Sequence, residues 1–426
     1  MRSFAYINLG CRVNRVETDD MVAQLEAEGY RLGELAESGV VLVNTCAVTG
    51  EAQAKTRKAI RRALSGACMP HVIATGCSAA LFQAELEGLG ERVIVEPDKS
   101  RVPKIAASLL GLPDREDFGI EDAAFSTPTG RMRPGIKIQD GCDLRCSYCI
   151  VWKARGKSRS LDAADILARV QEEAAKGAPE VVLTGVNLGS YELDGMRSGR
   201  GLARLLGLIL EKTDIGRVRL SSTEPQDICD ELLDVVVESQ GRIAPYLHVP
   251  LQSGCSATLK RMRRAYDAAE YERRVMRARE RIEGLALGCD LIVGFPGETD
   301  AEFEESLGLC ERVGFAGMHV FRYSKRPGTP AAEAPEQVSP QISAERARQA
   351  HELAARMRGE YARSRVGQEE LICVQEQGMG TSGGLLDVLV DDELPVGTLQ
   401  RLIIREALPS GVLDARVGCT IPGSFA

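Results

Sequence analysis

From Phe4 to about residue 110, short apolar runs alternate with longer stretches whose apolar residues recur every three or four positions. The runs Phe4–Asn8, Val40–Asn44, His71–Thr75 and Val93–Val95 predict strands. The stretches Glu17–Gly29, with Met21, Leu25 and Glu28 on one face, and Glu51–Leu64 predict helices. Strands alternating with helices imply a parallel sheet covered by helices on both faces, a doubly wound α/β arrangement.

The pattern lapses over residues 111–134, where GLPD, STPTG and RMRPG concentrate Pro, Gly, Ser and Thr, and this reads as a linker. From Gly135 the alternation resumes. Ile136–Gln139, Val181–Thr184, Val218–Ser221, Leu247–Val249, Leu291–Val293 and Met318–Phe321 are candidate strands. Asp162–Lys176, Leu202–Lys212, Ile228–Glu238, Tyr266–Ile282 and Asp300–Val313 are candidate helices between them. Six such units predict a partial (β/α)6 barrel, with its chemistry at the carboxyl ends of the strands. Gln341–Arg365 is helical by pattern. Short β-rich runs between glycine-rich turns follow from Val366 and predict a small antiparallel β-barrel. The expected division is an N-terminal domain over 1–112, a linker over 113–134, a barrel over 135–365 and a β domain over 366–426.

Composition narrows the class. The chain of 426 residues has 44% hydrophobic and 27% charged residues, as expected of a globular protein. No apolar run approaches the roughly 18 residues of a membrane span. The opening MRSFAYINLG reads as a first strand and lacks the order of a signal peptide. A cytoplasmic enzyme without a membrane partner is therefore expected. The net charge of −8 argues against indiscriminate nucleic-acid binding by a global positive field. Thirteen cysteines, an odd number in a long chain, point to metal or redox chemistry rather than to disulfides.

Three of them stand in GCDLRCSYC. Cys142, Cys146 and Cys149 follow the strand Ile136–Gln139 on one short loop. Three thiolates so spaced can hold three irons of a [4Fe–4S] cluster and leave the fourth open. An open position lets a metal centre bind a substrate directly; here that would be the amino and carboxylate groups of S-adenosylmethionine. A zinc knuckle needs a second Cys or His pair, and none lies nearby. Cys11, Cys46 and Cys77 are isolated in sequence, yet each closes a predicted strand: YINLGC, VLVNTC and VIATGC. Carboxyl ends of parallel strands share one edge. Three cysteines at that edge converge, which predicts a second cluster; three buried core cysteines are the competing reading. Gly10 and Gly76 allow close backbone approach there. Cys68, Cys229, Cys255, Cys289, Cys310, Cys373 and Cys419 show no spacing pattern and read as core or incidental.

Later strand ends supply a cofactor pocket. Tyr148 is placed to pack on an adenine, and Ile292 and Phe295 offer it apolar contact. Gly185 lets backbone approach the methionine end. Thr184, Ser222, Glu224 and Gln252 offer hydrogen-bond partners to ammonium and ribose groups. His248 reads as a general base or as a packed structural histidine. His71, His319 and His351 have no motif around them. Basic residues gather in KARGKSR (153–159) and LKRMRR (259–264), which flank the expected cleft, and in KTRKAIRR (55–62), which starts just after Cys46; each alone reads as a solvated face, and together they suit a polyanion such as RNA.

LGCRVNRVET, VNTCAVTGEAQAKTRKAIRR and TGCSA resemble the N-terminal domain of the radical S-adenosylmethionine methylthiotransferases. KIQDGCDLRCSYC, LTGVNLGSY, HVPLQSG and DLIVGFPGETDAEF resemble their central domain, and the tail resembles their TRAM domain. GCRVNRVET, KIQDGC, LKRMRRAY and HVFRYSKRPGTPA are most similar to the branch acting on N6-threonylcarbamoyladenosine in tRNA. The branch modifying a ribosomal-protein aspartate usually shows GCPKN, and the isopentenyladenosine branch GCQMN. Two departures stand out: Trp152-Lys153 where a proline-tryptophan pair is frequent, and Ser78 where a tyrosine is usual.

The resemblance implies two [4Fe–4S] clusters, S-adenosylmethionine as methyl and radical source, and methylthiolation at C2 of the adenine at position 37. The central cluster reduces S-adenosylmethionine to release a 5′-deoxyadenosyl radical, which takes hydrogen from C2; the N-terminal cluster carries the sulfur. It also implies an anticodon stem-loop as partner, a flavodoxin- or ferredoxin-type electron donor and a sulfur source. A splayed loop purine enters such a site at little unstacking cost.

Overall fold

The structure is a computed structural model that describes residues 3–112, 127 and 129–417. Most of the predicted linker, and Cys419, lie outside these residues.

The N-terminal part runs β1 (Ser3–Asn8), α1 (Arg12–Ala27), β2 (Arg31–Leu32), β3 (Val40–Thr45), α2 (Gly50–Leu64) and β4 (His71–Gly76). It continues with α3 (Cys77–Leu81), α4 (Gln83–Glu87), β5 (Val93–Val95) and α5 (Val102–Leu110). The strands form one parallel sheet, β2-β1-β3-β4-β5. Strand alternation sends Phe4, Val40, Leu42 and Ile73 to one apolar core. Ala5, Val41, Val43, Val72 and Ala74 go to another on the opposite face. The sheet is doubly wound, as the pattern predicts. Helix α1 begins at Arg12, five residues before the predicted start. Val13 and Val16 already bury one face, which the polar Asn14 and Arg15 between them obscure in the sequence. The two-residue edge strand β2 is too short to leave a pattern.

The central part runs β6 (Gly135–Lys137), β7 (Gln139–Asp140), α6 (Val151–Arg155), β8 (Arg159–Ser160), α7 (Ala163–Ala175), β9 (Glu180–Thr184) and α8 (Arg200–Lys212). Then come β10 (Arg217–Leu220), α9 (Asp230–Glu238), β11 (Tyr246–His248), α10 (Ser256–Arg261), α11 (Ala268–Arg281), β12 (Ala286–Val293), α12 (Asp300–Val313) and β13 (Gly317–Arg322). Strands β6-β9-β10 and β11-β12-β13 form two parallel triplets. Parallel bridges Val218–Ile243 and Ser222–His248 join them, so six strands follow one another in chain order. Their helices close one large apolar core outside. Strand β12 starts five residues earlier than predicted, because Gly288, Cys289 and Asp290 break its apolar run.

Helices α13 (Pro330–Glu333) and α14 (Pro340–Ser364) lead to β14 (Glu369–Glu376), β15 (Met379–Thr381), β16 (Asp387–Leu389), β17 (Leu399–Ile403), β18 (Glu406–Ala407) and β19 (Leu413–Asp414). The expected small β-barrel is a curled, mainly antiparallel sheet, a half-barrel in the order β17-β14-β15-β16-β19-β18. Neighbours are antiparallel except β16 and β19.

A buried charge cluster fastens this sheet to the barrel. Glu180, Arg217 and Arg219 are fully buried. Glu180 accepts from Arg217 Nε and, at 2.8 Å, from Arg219 Nε. Arg219 also donates to the carbonyls of Ser382 (3.0 Å) and Gly383 (2.7 Å), and Arg217 to that of Leu371. The two guanidiniums hold the Glu180 carboxyl well below the usual range despite its burial. No helix among the described residues is long and apolar enough to cross a membrane.

Candidate functional site

Strands β1, β3 and β4 are neighbours in register, with Asn8 beside Asn44 and Thr45 beside Gly76. Their carboxyl ends therefore share one edge, and Cys11, Cys46 and Cys77 stand just beyond it. Gly10 (φ +106°) packs against Cys46, where a Cβ would come within 2.8 Å of the Cys46 Cβ. Gly76 (φ +91°) packs against β3, where a Cβ would meet Asn44 Oδ1 and, at 2.6 Å, the Thr45 carbonyl. Both glycines admit neighbouring protein rather than the bulky group their sequence positions suggest.

A hydrogen-bonded web fixes this edge. Asn14 Nδ2 donates to the carbonyls of Leu9 (2.9 Å) and Thr45 (2.8 Å). Thr45 Oγ1 accepts from the Ser78 and Ala79 amides and donates to the Thr75 carbonyl. Ser78, the departure from the family pattern, is fully buried and donates to the Cys46 carbonyl at 2.7 Å. It braces the cysteine backbone.

The loop cysteines lie between β7 and α6. Arg155 at the end of α6 joins the two halves of the site. Its Nη2 donates to Asn14 Oδ1 (2.6 Å) and its Nη1 to Glu17 (3.0 Å) and Asp140 (2.9 Å). Burial alone raises the Glu17 pKa, but Arg155, Lys99 and Lys137 bring it down to about 2. Arg264 plays a similar part on the other side. Its side chain is 3% exposed, pairs with Glu224 and donates to Cys146 Sγ at 3.2 Å.

The six cysteines line a single cavity of about 490 Å³. Tyr148, Thr184, Gly185, Ser222, Glu224 and Gln252 also line it. Ile292 and Phe295 do not. Phe295 stands behind Tyr148 in an edge-to-face contact at 6.4 Å, with Ile292 in the same apolar group. They support the aromatic wall and are not part of it. Gly185 turns its open side to Gln139, where an added Cβ would come within 3.0 Å of the Gln139 Cβ. Glu224 is committed to Arg264. Gln252 reaches the wall through a left-handed backbone (φ +66°), a strained conformation for a side chain of its size.

Three features test whether the cavity suits iron–sulfur and S-adenosylmethionine chemistry. Burial pushes the thiols of Cys46 and Cys142 up to about 11 and that of Cys149 to about 12. Such thiols become thiolates only beside a strong local cation such as a metal centre. Among the described residues, the three-membered group with ligand atoms all within 4.8 Å is His248, Asp290 and His319, not either cysteine triad. One zinc ion would draw its sulfurs to roughly 3.8 Å apart; wider spacing suits ligands on separate irons. The buried hydroxyls of Thr184, Ser221 and Thr223, all in the cavity wall, have no partner among the described residues. A polar ligand would satisfy them.

Asp290 and His319 belong to the site although the sequence reading gives neither a role there. Both line the cavity, and Asp290 Oδ1 lies 3.2 Å from His248 Nε2 and from His319 Nδ1. Burial opposes ionisation of Asp290, but hydrogen bonds from the two imidazoles hold its carboxyl well below the usual range. Their signal is register: Asp290 pairs with His319 across β12 and β13, next to the last residue of β11. The basic stretches also divide. Arg155 and the side chain of Arg264 are buried in the site, whereas Lys58, Arg61, Arg62, Lys157 and Arg263 are exposed. Trp152 is half-buried under the Arg145 guanidinium at 4.5 Å, and Lys153 donates to the Gly328 carbonyl at 2.6 Å.

The fold and a sulfur-lined cavity at the barrel's strand ends define a radical S-adenosylmethionine enzyme. The family described as "Radical SAM superfamily" matches residues 136–310, and "Uncharacterized protein family UPF0004" matches 3–95. The solved radical S-adenosylmethionine methyltransferase TsrM from Kitasatospora setae shares the fold, with a TM-score of 0.55 at 18% identity over 78% of this chain and 77% of that one. The threonylcarbamoyladenosine tRNA methylthiotransferase MtaB of Thermotoga maritima is 33% identical over 98% of this chain and 97% of its own. The tRNA-2-methylthio-N(6)-dimethylallyladenosine synthase of Cereibacter sphaeroides is 31% identical over 96% and 97%. The chain belongs to the radical S-adenosylmethionine methylthiotransferases. It is an enzyme that transfers a methylthio group, with S-adenosylmethionine and two [4Fe–4S] clusters as its cofactors.

Proposed function

We propose that this enzyme methylthiolates C2 of N6-threonylcarbamoyladenosine at position 37 of tRNA. Cys142, Cys146 and Cys149 hold one cluster, and Cys11, Cys46 and Cys77 the other. The observation that carries the reading is that both triads wall one cavity. The names of both methylthiolating relatives support a tRNA substrate, and that of the Thermotoga enzyme supports the threonylcarbamoyl base. With its cofactor bound, the loop cluster supplies reductive cleavage of S-adenosylmethionine to a 5′-deoxyadenosyl radical.

The chain's own residues bind, orient and shield. Tyr148, backed by Phe295 and Ile292, offers an apolar face to the adenosyl group. Thr184, Ser222, Thr223 and Gln252, with the backbone at Gly185, offer polar partners to its amino-acid and ribose ends. Glu224 acts through Arg264, which steadies the Cys146 sulfur. Arg155 fixes the strand-end triad relative to the loop triad. We take the boundaries 1–112, 135–365 and 366–426 as those of three domains. An anticodon stem-loop, a flavodoxin- or ferredoxin-type reductant and a sulfur source complete the cytoplasmic reaction.

Mass spectrometry of tRNA nucleosides from a deletion strain tests this reading. The expected result is loss of 2-methylthio-N6-threonylcarbamoyladenosine, with its unthiolated precursor accumulating, and recovery on complementation. Loss of the isopentenyl derivative instead, or unchanged tRNA beside an unmodified ribosomal-protein aspartate, overturns it.

A further inference from the structure

A second cavity adjoins the first. Arg12, Arg15, Arg131, Arg133 and Arg219 line it, along with Glu376. Arg12 and Thr184 line both cavities, so they stand at the seam between the cysteine-lined chamber and an arginine-lined cleft.

The charges in this cleft do not balance. Arg131 pairs with Asp19 at 2.5 Å, and Asp19 also accepts from Thr129. Arg133 and Arg219 share Glu180 with Arg217. Arg12 and Arg15 have no carboxylate at ion-pair distance among the described residues, and Arg12 is exposed. An exposed guanidinium among like charges, directed to a seam beside a cluster ligand, is a ready partner for an anion. Helix α1 adds to this, since Arg12 is its first residue and Cys11 its cap.

The chemistry of the base says which anion. C2 and the carbon bearing N6 flank N1 on one edge of the purine. With C2 toward the cysteines, the N6 substituent falls beside them. A threonylcarbamoyl group ends in a carboxylate, whereas an isopentenyl group is apolar throughout. We propose that Arg12 recognises the carboxylate of the threonylcarbamoyl substituent and thereby sets specificity; this rests on the functional reading above. Arg15 and Arg133 extend the same positive surface along the cleft toward the flanking phosphates.

The test uses reconstituted full-length enzyme and two anticodon stem-loop RNAs, one with the threonylcarbamoyl acid at position 37 and one with its methyl ester. Fluorescence anisotropy at fixed salt gives both affinities. Native enzyme is expected to bind the acid about tenfold more tightly than the ester. Arg12→Gln, a side chain of similar helix propensity, is expected to bind both alike, with ester affinity held within about twofold. Arg12→Lys restores part of the difference. Three results overturn the proposal: native enzyme that does not distinguish acid from ester, discrimination that survives in Arg12→Gln, or an equal loss for both RNAs, which assigns Arg12 to a phosphate. The first needs no variant and so stands even where a substitution disturbs folding. Failure of the functional reading appears in the deletion strain's nucleosides, whereas failure of this inference leaves them intact and appears in the ester comparison.

Discussion

The two cysteine triads share a cavity but are built by different means. Cys142, Cys146 and Cys149 occupy eight consecutive residues, so their proximity is local and depends on one loop. Cys11, Cys46 and Cys77 come from three strands, and their proximity is a property of the sheet, fixed by register and by two glycines at positive φ. A local site tolerates strain elsewhere. A topological one inherits every error of the sheet that builds it.

That contrast can be broken experimentally, and the largest effect comes first. Cys146→Ala is expected to abolish both 5′-deoxyadenosine release and methylthio transfer. Cys46→Ala is expected to abolish transfer but keep reductive S-adenosylmethionine cleavage, with iron falling from about eight to about four per chain. Product assays and iron analysis check both. Loss of cleavage in Cys46→Ala would show that the triads do not work independently.

Glu180→Gln leaves two buried arginines short of their carboxylate and is expected to destabilise the protein by ~3–5 kcal/mol. Thermal unfolding measures this. Cleavage per bound iron should stay near the native value, since Glu180 stands at the opposite end of β9 from Thr184 and the cavity. Gly76→Ala forces a Cβ into β3 at a positive φ, with an expected destabilisation of ~1–3 kcal/mol. It should empty the strand-end triad selectively: about half the iron, no transfer, cleavage retained. Smallest of all, Lys58→Glu with Arg62→Glu should weaken stem-loop binding a few-fold at low salt and little at high salt. The melting temperature should shift by less than ~0.5 kcal/mol would produce.

Much of the fold is legible in the sequence because its strands are buried on both faces and read as continuous apolar runs. The loop triad is legible from spacing alone. The strand-end triad is legible because the repeat of strand and helix places each cysteine at an equivalent point. What escapes has a common cause. Asp290, His319, Arg155 and Arg264 acquire their roles from partners far away in sequence: Asp290 from His248 and His319, Arg155 from Glu17, and Arg264 from Glu224. Charged residues in a basic stretch look alike in sequence, and only folding separates Arg155, buried against Glu17, from Lys157 in solvent. Strand position assigns Ile292 and Phe295 to the pocket, but the turn after β12 sends Phe295 behind Tyr148.

One chamber for both triads makes the reaction a matter of timing rather than of transport. Both triads face the same cavity, so a group released at one wall has only the width of that cavity to cross, and its meeting with the other wall is an intramolecular event. The rate of that encounter is then set by orientation within a cavity of about 490 Å³, not by how much of any partner is in solution.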